Sequence, residues 1–135
     1  MKRIFVLIVS FLLSFNVLAQ QSYICIADSS TGFDFNKTTK KWYPKHFDVK
    51  DSKYVLSRKN NIWEWKEIGQ QVPMIKCGEF DGNGYLYCSG IETLRFNKNN
   101  LRFLLIYNVG YVTAGVIGVD GEDSPAMTIG KCSPM

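Results

Sequence analysis

The chain has 135 residues, of which 46% are hydrophobic and 14% aromatic, and its formal net charge is +4. This length predicts a single domain. Such a domain is large enough to bury a core but small enough for covalent crosslinks to matter.

The first nineteen residues have the pattern of a secretory signal peptide. Lys2 and Arg3 precede an apolar run from Ile4 to Leu18, and small residues at Val17-Leu18-Ala19 lie before Gln20. The run is too short for a spanning helix and ends at a cleavage-site pattern. We therefore predict a signal peptide over 1–19, a single β domain over 20–135, and a periplasmic or secreted product. No second run of spanning length follows, so no membrane span is expected after cleavage.

Short apolar and aromatic runs, separated by turn residues, predict strands throughout the mature chain. Residues 36–45 are polar and basic, and Pro44 lacks an N–H group, so this stretch is predicted to be a loop or a sheet edge. Trp63 and Trp65 alternate with charged residues and are expected on one face. The predicted strands cover 22–27, 32–35 (or an extended loop), 47–49, 53–58, 62–68, a hairpin over 74–89, 93–96, 101–107, 111–117 and 127–132.

These elements define an all-β class with antiparallel strands. The runs 101–107 and 111–117 are largely apolar on both faces, which is typical of central strands. A small antiparallel β-barrel and a two-layer sandwich both satisfy this pattern, and both remain open.

All four cysteines lie in the mature chain, where export permits disulfides. The turn sequence Asp81-Gly82-Asn83-Gly84 is centred between Cys77 and Cys88. A hairpin folded about Gly82 and Asn83 would place these two cysteines directly opposite each other, within disulfide distance. The remaining pair is then Cys25 with Cys132. A zinc site is disfavoured because the chain has no Cys-x-x-Cys pair and one histidine, His46.

No catalytic constellation stands out, and we expect a protein that is not an enzyme. His46 has one carboxylate nearby in sequence, Asp48, and no motif distinguishes any pair of acids. Glu64, Glu79 and Asp81 are the first candidates if the chain is nevertheless a cell-wall hydrolase. No cofactor, metal or nucleic-acid partner is expected.

Charge is segregated along the chain. Residues 37–60 carry eight basic and two acidic side chains, a net +6, whereas the rest of the mature chain has a net −4. A basic face suits an anionic partner, although lysines on a sheet edge also serve to prevent aggregation. Adjacent Trp42 and Tyr43 would point to opposite faces of a strand. The candidate binding patch comprises Lys40, Lys41, Trp42, Tyr43 and Lys45.

Several short motifs resemble a group of small exported proteins from Gram-negative bacteria and some phage or prophage genomes, most of which have no assigned function. The resemblance implies export and a four-cysteine β framework, and it implies no catalytic residues. The general layout also resembles that of periplasmic lysozyme inhibitors. The motifs are Tyr23-x-Cys25-x-Ala27-Asp28, Thr31-Gly32-Phe33, Lys41-Trp42, Cys88-Ser89-Gly90, Arg95-Phe96 and Ile129-Gly130-x-Cys132-Ser133-Pro134.

The leading hypothesis is therefore a non-enzymatic binding module, with an inhibitor-like or immunity-like role. Its partner would be an envelope or foreign protein, or an anionic polymer. The alternatives are a β-barrel that carries a small ligand in an aromatic-lined mouth, and a cell-wall hydrolase.

Overall fold

The computed structural model describes residues 21–135, so the predicted signal peptide lies outside the described residues. The described chain contains nine strands and no helix. The strands are Ser22–Asn36 (β1), Lys41–Phe47 (β2), Lys53–Lys59 (β3), Ile62–Glu67 (β4), Ile75–Cys77 (β5), Tyr85–Ser89 (β6), Glu92–Asn97 (β7), Arg102–Tyr107 (β8) and Ala126–Pro134 (β9).

The strands form one antiparallel sheet that curls into a nearly closed barrel. Its order is β5-β4-β3-β1-β9-β8-β7-β6, and β2 pairs with β1 outside this path. The two end strands, β5 and β6, approach each other across a seam. The all-β prediction is confirmed, and of the two architectures left open the structure is the barrel.

The barrel interior is filled with side chains. Alternating residues point inward, and Trp63 and Trp65 are both buried, as their spacing predicts. Their rings pack on Phe80 and Tyr54 with centroid distances of 5.0 and 4.7 Å. Burying each large apolar side chain stabilises the fold by about 1.5–3 kcal/mol.

The longest strand, β1, is part of both the barrel wall and a hairpin with β2. Its first part pairs with β3, and its second part pairs with β2 from Ser30 to Asn36. The ladder to β9 runs from Tyr23 to Gly32, with a β-bulge between Ala27 and Ser29. Bulges bend a strand and increase its twist, so the β1–β2 hairpin extends beyond the barrel wall. The predicted polar segment 36–45 thus contains the hairpin turn and most of an edge strand.

Both predicted disulfides are present. Cys25 and Cys132 are ladder partners on β1 and β9, with their Cα atoms 3.9 Å apart. Cys77 and Cys88 lie with Cα atoms 4.7 Å apart.

The predicted hairpin register around Cys77 and Cys88 needs correction. The turn forms where expected, because the Gly84 N–H donates to the Asp81 carbonyl. However, Cys77 pairs with Trp63 on β4, and Cys88 pairs with Leu94 on β7. Among the described residues no ladder joins β5 to β6, so the bridge crosslinks the barrel seam. The Phe80 ring packs between Trp63 and Phe96 at this seam, which draws the intervening chain out of a ladder.

The predicted central strand over 111–117 is wrong. These residues form turns within an exposed connection between β8 and β9, and Val116 is 84% exposed. Gly110, Gly115 and Gly118 adopt positive φ angles of 100°, 82° and 96°, which are incompatible with an extended strand.

Candidate functional site

The predicted patch is divided between the two faces of the β1–β2 hairpin. Trp42 is half-buried on one face, where its ring contacts Phe35 and Tyr111 and its Nε1–H donates to Asp120 Oδ1 at 3.3 Å. Tyr43 lies on the opposite face and is 41% exposed. The alternation of β-strand side chains accounts for this division.

The basic members of the patch are not equivalent. Lys45 forms an ion pair with Asp34 across the hairpin, and Tyr43 Oη donates to the same carboxylate at 3.1 Å. The hydrogen bond from Lys45, with one from the Phe35 N–H, holds the pKa of the Asp34 carboxyl at about 2. Lys45 is therefore already neutralised within the chain.

Lys40 and Lys41 lie at the tip of the same hairpin. Lys40 occupies the tight turn with a φ of 57°, and Lys41 begins β2 opposite Asn36. Both side chains are exposed. The five residues thus occupy a tip and two faces rather than one continuous surface.

An apolar groove of about 700 Å³ lies on the face that carries Trp42. One wall is the β1–β2 hairpin, where Phe33 and Pro44 are ladder partners. The floor is the outer face of β8 and β9, and the connection between those strands forms the opposite wall. The principal apolar lining residues are Phe33, Trp42, Pro44, Ile106, Val112 and Met127.

The contacts of Trp42 hold the two walls of the groove together. Tyr111, on the connection, meets the Trp42 ring edge-on at a centroid distance of 5.5 Å. The Phe33 N–H also donates to the Pro125 carbonyl at 3.0 Å. Gly32 permits this approach, because a β-carbon at that position would collide with the Pro125 backbone. Specific contacts between the two walls therefore define the groove.

A second pocket, of about 420 Å³, lies at one mouth of the barrel. Burial raises the pKa of the Glu92 carboxyl, and the Glu67 charge adds to this effect. Burial, together with the Asp123 charge, raises the pKa of the Tyr107 phenol. Ser30 accepts a hydrogen bond of 2.9 Å from the Thr128 hydroxyl at this mouth.

Two of the three acids considered for hydrolysis, Glu79 and Asp81, have structural partners. Glu79 forms an ion pair with Arg58, and Asp81 accepts N–H bonds from Asn83 and Tyr85 in its turn. Within residues 21–135, no group of three or more His, Cys, Asp and Glu side chains is placed to hold a metal ion. The same part of the chain has no helix that is long and apolar enough to cross a membrane.

Sequence reasoning identified Trp42 but missed the groove that it lines. Part of the groove is formed by the connection 108–125, and the apolar run at 111–117 within it was predicted to be a strand. The signal that could have identified it is the repeated glycine at 110, 115, 118 and 121, each with a positive φ in the structure.

Comparison with family models, curated proteins and solved structures finds no match to this chain.

Proposed function

We propose that this protein is a non-enzymatic binding module of the periplasm or the cell exterior, and that it binds a protein through the apolar groove. The carrying observation is the groove itself, which has apolar walls and floor built from two separate elements. The signal-peptide pattern and the two disulfides support an exported location, since disulfides persist in oxidising compartments.

The shape and chemistry of the groove favour a protein over an anionic polymer. An apolar groove gains free energy when apolar groups displace water from it. A polysaccharide or polyphosphate has few such groups, whereas a protein can insert aliphatic or aromatic side chains. Protein interfaces are typically centred on a few such anchors in pockets.

Ligand carriage inside the barrel has less support. Leu56, Trp65, Leu86 and Leu94 have no exposed area, and they lie where an internal ligand would sit. The groove lies outside this interior, between the hairpin and the connection.

Two matched substitutions test the proposal. Val112 lines the groove and is 72% exposed, whereas Val72 is 73% exposed on the β4–β5 connection away from the groove. Val112→Asp places a charge in the groove and should weaken capture of envelope proteins at least tenfold. Val72→Asp adds the same charge at equal exposure and should leave capture within twofold of the unsubstituted protein.

The readout is quantitative mass spectrometry of proteins captured from envelope extracts, with each captured species then titrated in purified form. Thermal unfolding of both variants controls for folding. If every captured protein binds Val112→Asp and Val72→Asp equally well, the groove is not the binding site.

A further inference from the structure

An apolar strip leads away from the groove along the outer face of β8 and β9. Ile106 and Met127, which form the groove floor, are ladder partners. The next outward-facing pair is Leu104 with Ile129, and Ile129 is 51% exposed. These four apolar side chains extend the groove floor along two adjacent strands, and the polar Thr31 and Ser29 border them on β1. A continuous exposed apolar patch is uncommon away from interaction sites.

A row of cations crosses the far end of this strip. Arg102 on β8 pairs with Lys131 on β9, Lys131 pairs with Ile26 on β1, and Ile26 pairs with Lys53 on β3. All three cationic residues are exposed, and none forms an ion pair with another described residue. The four residues come from distant parts of the sequence, so the row exists only in the folded sheet.

Acidic residues are scarce on this surface. Among the ladder-paired, outward-facing positions of β8, β9 and β1 from residue 22 to 31, none is acidic, and the three cations outnumber the exposed Asp28 in the β1 bulge. The acids Asp48, Glu92 and Asp123 instead line the barrel mouth. The strip and its cations therefore form a positively charged docking surface.

We infer that the protein partner presents an amphipathic acidic segment, whose apolar side chains fill the groove and whose carboxylates meet the row of Arg102, Lys131 and Lys53. This inference rests on the proposed function. Met127 and Lys131 are four residues apart on one strand, so the groove floor and the cations are separated by about 14 Å. The acidic residues of the segment should lie at that distance from its apolar anchors.

The combination of groove and cations defines this partner. Complementary charge steers association and disfavours wrong partners, whereas burial of apolar groups supplies most of the affinity. A bilayer surface could meet the cations but could not enter a groove bounded by two walls. An acidic polymer could meet the cations but would leave the groove unfilled.

The test uses a displayed library of random peptides selected on the immobilised protein, with a blank surface as background. The charge-reversed variant Arg102→Glu with Lys131→Glu is compared with Lys59→Glu with Lys76→Glu, which changes the net charge equally at exposed positions towards the β5 end of the sheet. Selected peptides are synthesised and their affinities measured at 50 and 500 mM salt.

We expect the selected peptides to combine apolar residues with two or more Asp or Glu residues. They should bind the Arg102→Glu, Lys131→Glu variant at least tenfold more weakly and the control variant within twofold. Their affinity for the unsubstituted protein should fall at high salt.

The outcomes separate the two proposals. Peptides that lose binding with Val112→Asp but show no acidic enrichment, or bind the charge-reversed variant equally, overturn the inference and leave the groove proposal intact. Peptides that bind Val112→Asp unchanged overturn the groove proposal. No enrichment above the blank surface contradicts both.

Discussion

Glu92 is a charged residue that the fold places partly inside the barrel, although charged side chains usually lie on the surface. It continues the inward face of β7 beyond Leu94 and Phe96, and so it lies half-buried at the barrel mouth. Its Oε2 atom has no hydrogen-bond partner among the described residues. A buried carboxylate without a partner favours its neutral form, and this raises its pKa above the ordinary 4.5.

This environment predicts a pH-dependent effect of Glu92→Gln. The folded protein holds the Glu92 proton to a higher pH than the unfolded chain, so its stability falls as pH rises from 4.5 towards the folded pKa. The amide removes this loss. Urea unfolding should show Glu92→Gln to be more stable than the unsubstituted protein at pH 7 and about equally stable at pH 3.5. An equal gain at both pH values would attribute the effect to packing.

Single residues also show where sequence reasoning succeeds. The inward burial of Trp63 and Trp65 and the opposed faces of Trp42 and Tyr43 follow from the two-residue period of a strand. The neutralisation of Lys45 by Asp34 does not, because it depends on the register of β1 against β2. Composition showed an excess of lysine, whereas only the register shows which lysines remain unpaired.

At the scale of elements, the barrel seam is held by a crosslink rather than a ladder. β5 has three residues and pairs with β4 alone, and the Cys77–Cys88 bridge attaches it to β6. The other bridge, between Cys25 and Cys132, joins strands that already pair over many residues. The two disulfides therefore have different mechanical roles.

Removing the seam bridge should loosen the protein locally. In Cys77→Ala with Cys88→Ala, we expect amide exchange in β5 and β6 to accelerate at least tenfold more than exchange in β1 and β9, which reports the loss of global stability. The measurement is hydrogen exchange followed by mass spectrometry or NMR. Uniform acceleration in all strands would mean that the seam opens only by global unfolding.

Removing the other bridge should act globally. Sequence separations of 107 and 11 residues correspond to about 5 and about 3 kcal/mol in the chain-entropy model. Cys25→Ala with Cys132→Ala should therefore cost roughly 2–5 kcal/mol in urea unfolding, more than the seam variant. The opposite order would show that the seam aromatic cluster, not loop length, governs stability.

The two errors at this scale share a cause. The run 111–117 has the apolar residues of a strand, but its flanking glycines and lack of a neighbouring strand leave it in turns. The segment between Cys77 and Cys88 has hairpin turn chemistry, but Phe80 packs on Trp63 and separates the two arms. The local sequence determines where these turns form, whereas contacts between distant residues determine which strands pair.

Across the whole molecule, the two ends of the described chain meet in the middle of the sheet. β1 and β9 are adjacent strands in the sheet order, and the ladder joining them spans the bulge in β1. Proteins dominated by such distant pairings fold slowly, because the chain must close a long loop before contacts compensate for the lost entropy. The Cys25–Cys132 bridge closes that loop in advance.

This arrangement predicts that the Cys25–Cys132 bridge accelerates folding. Closing a flexible loop of 107 residues costs about 4 kcal/mol beyond a constant. If a third of this entropic cost is incurred by the transition state for folding, removing it raises the folding rate about tenfold. We expect the oxidised protein, diluted from guanidinium, to refold at least tenfold faster than Cys25→Ala with Cys132→Ala, followed by the fluorescence of buried Trp63 and Trp65. Cys77→Ala with Cys88→Ala retains the long-range bridge and should refold at nearly the oxidised rate. Equal rates for all three proteins would place the pairing of β1 with β9 after the folding barrier.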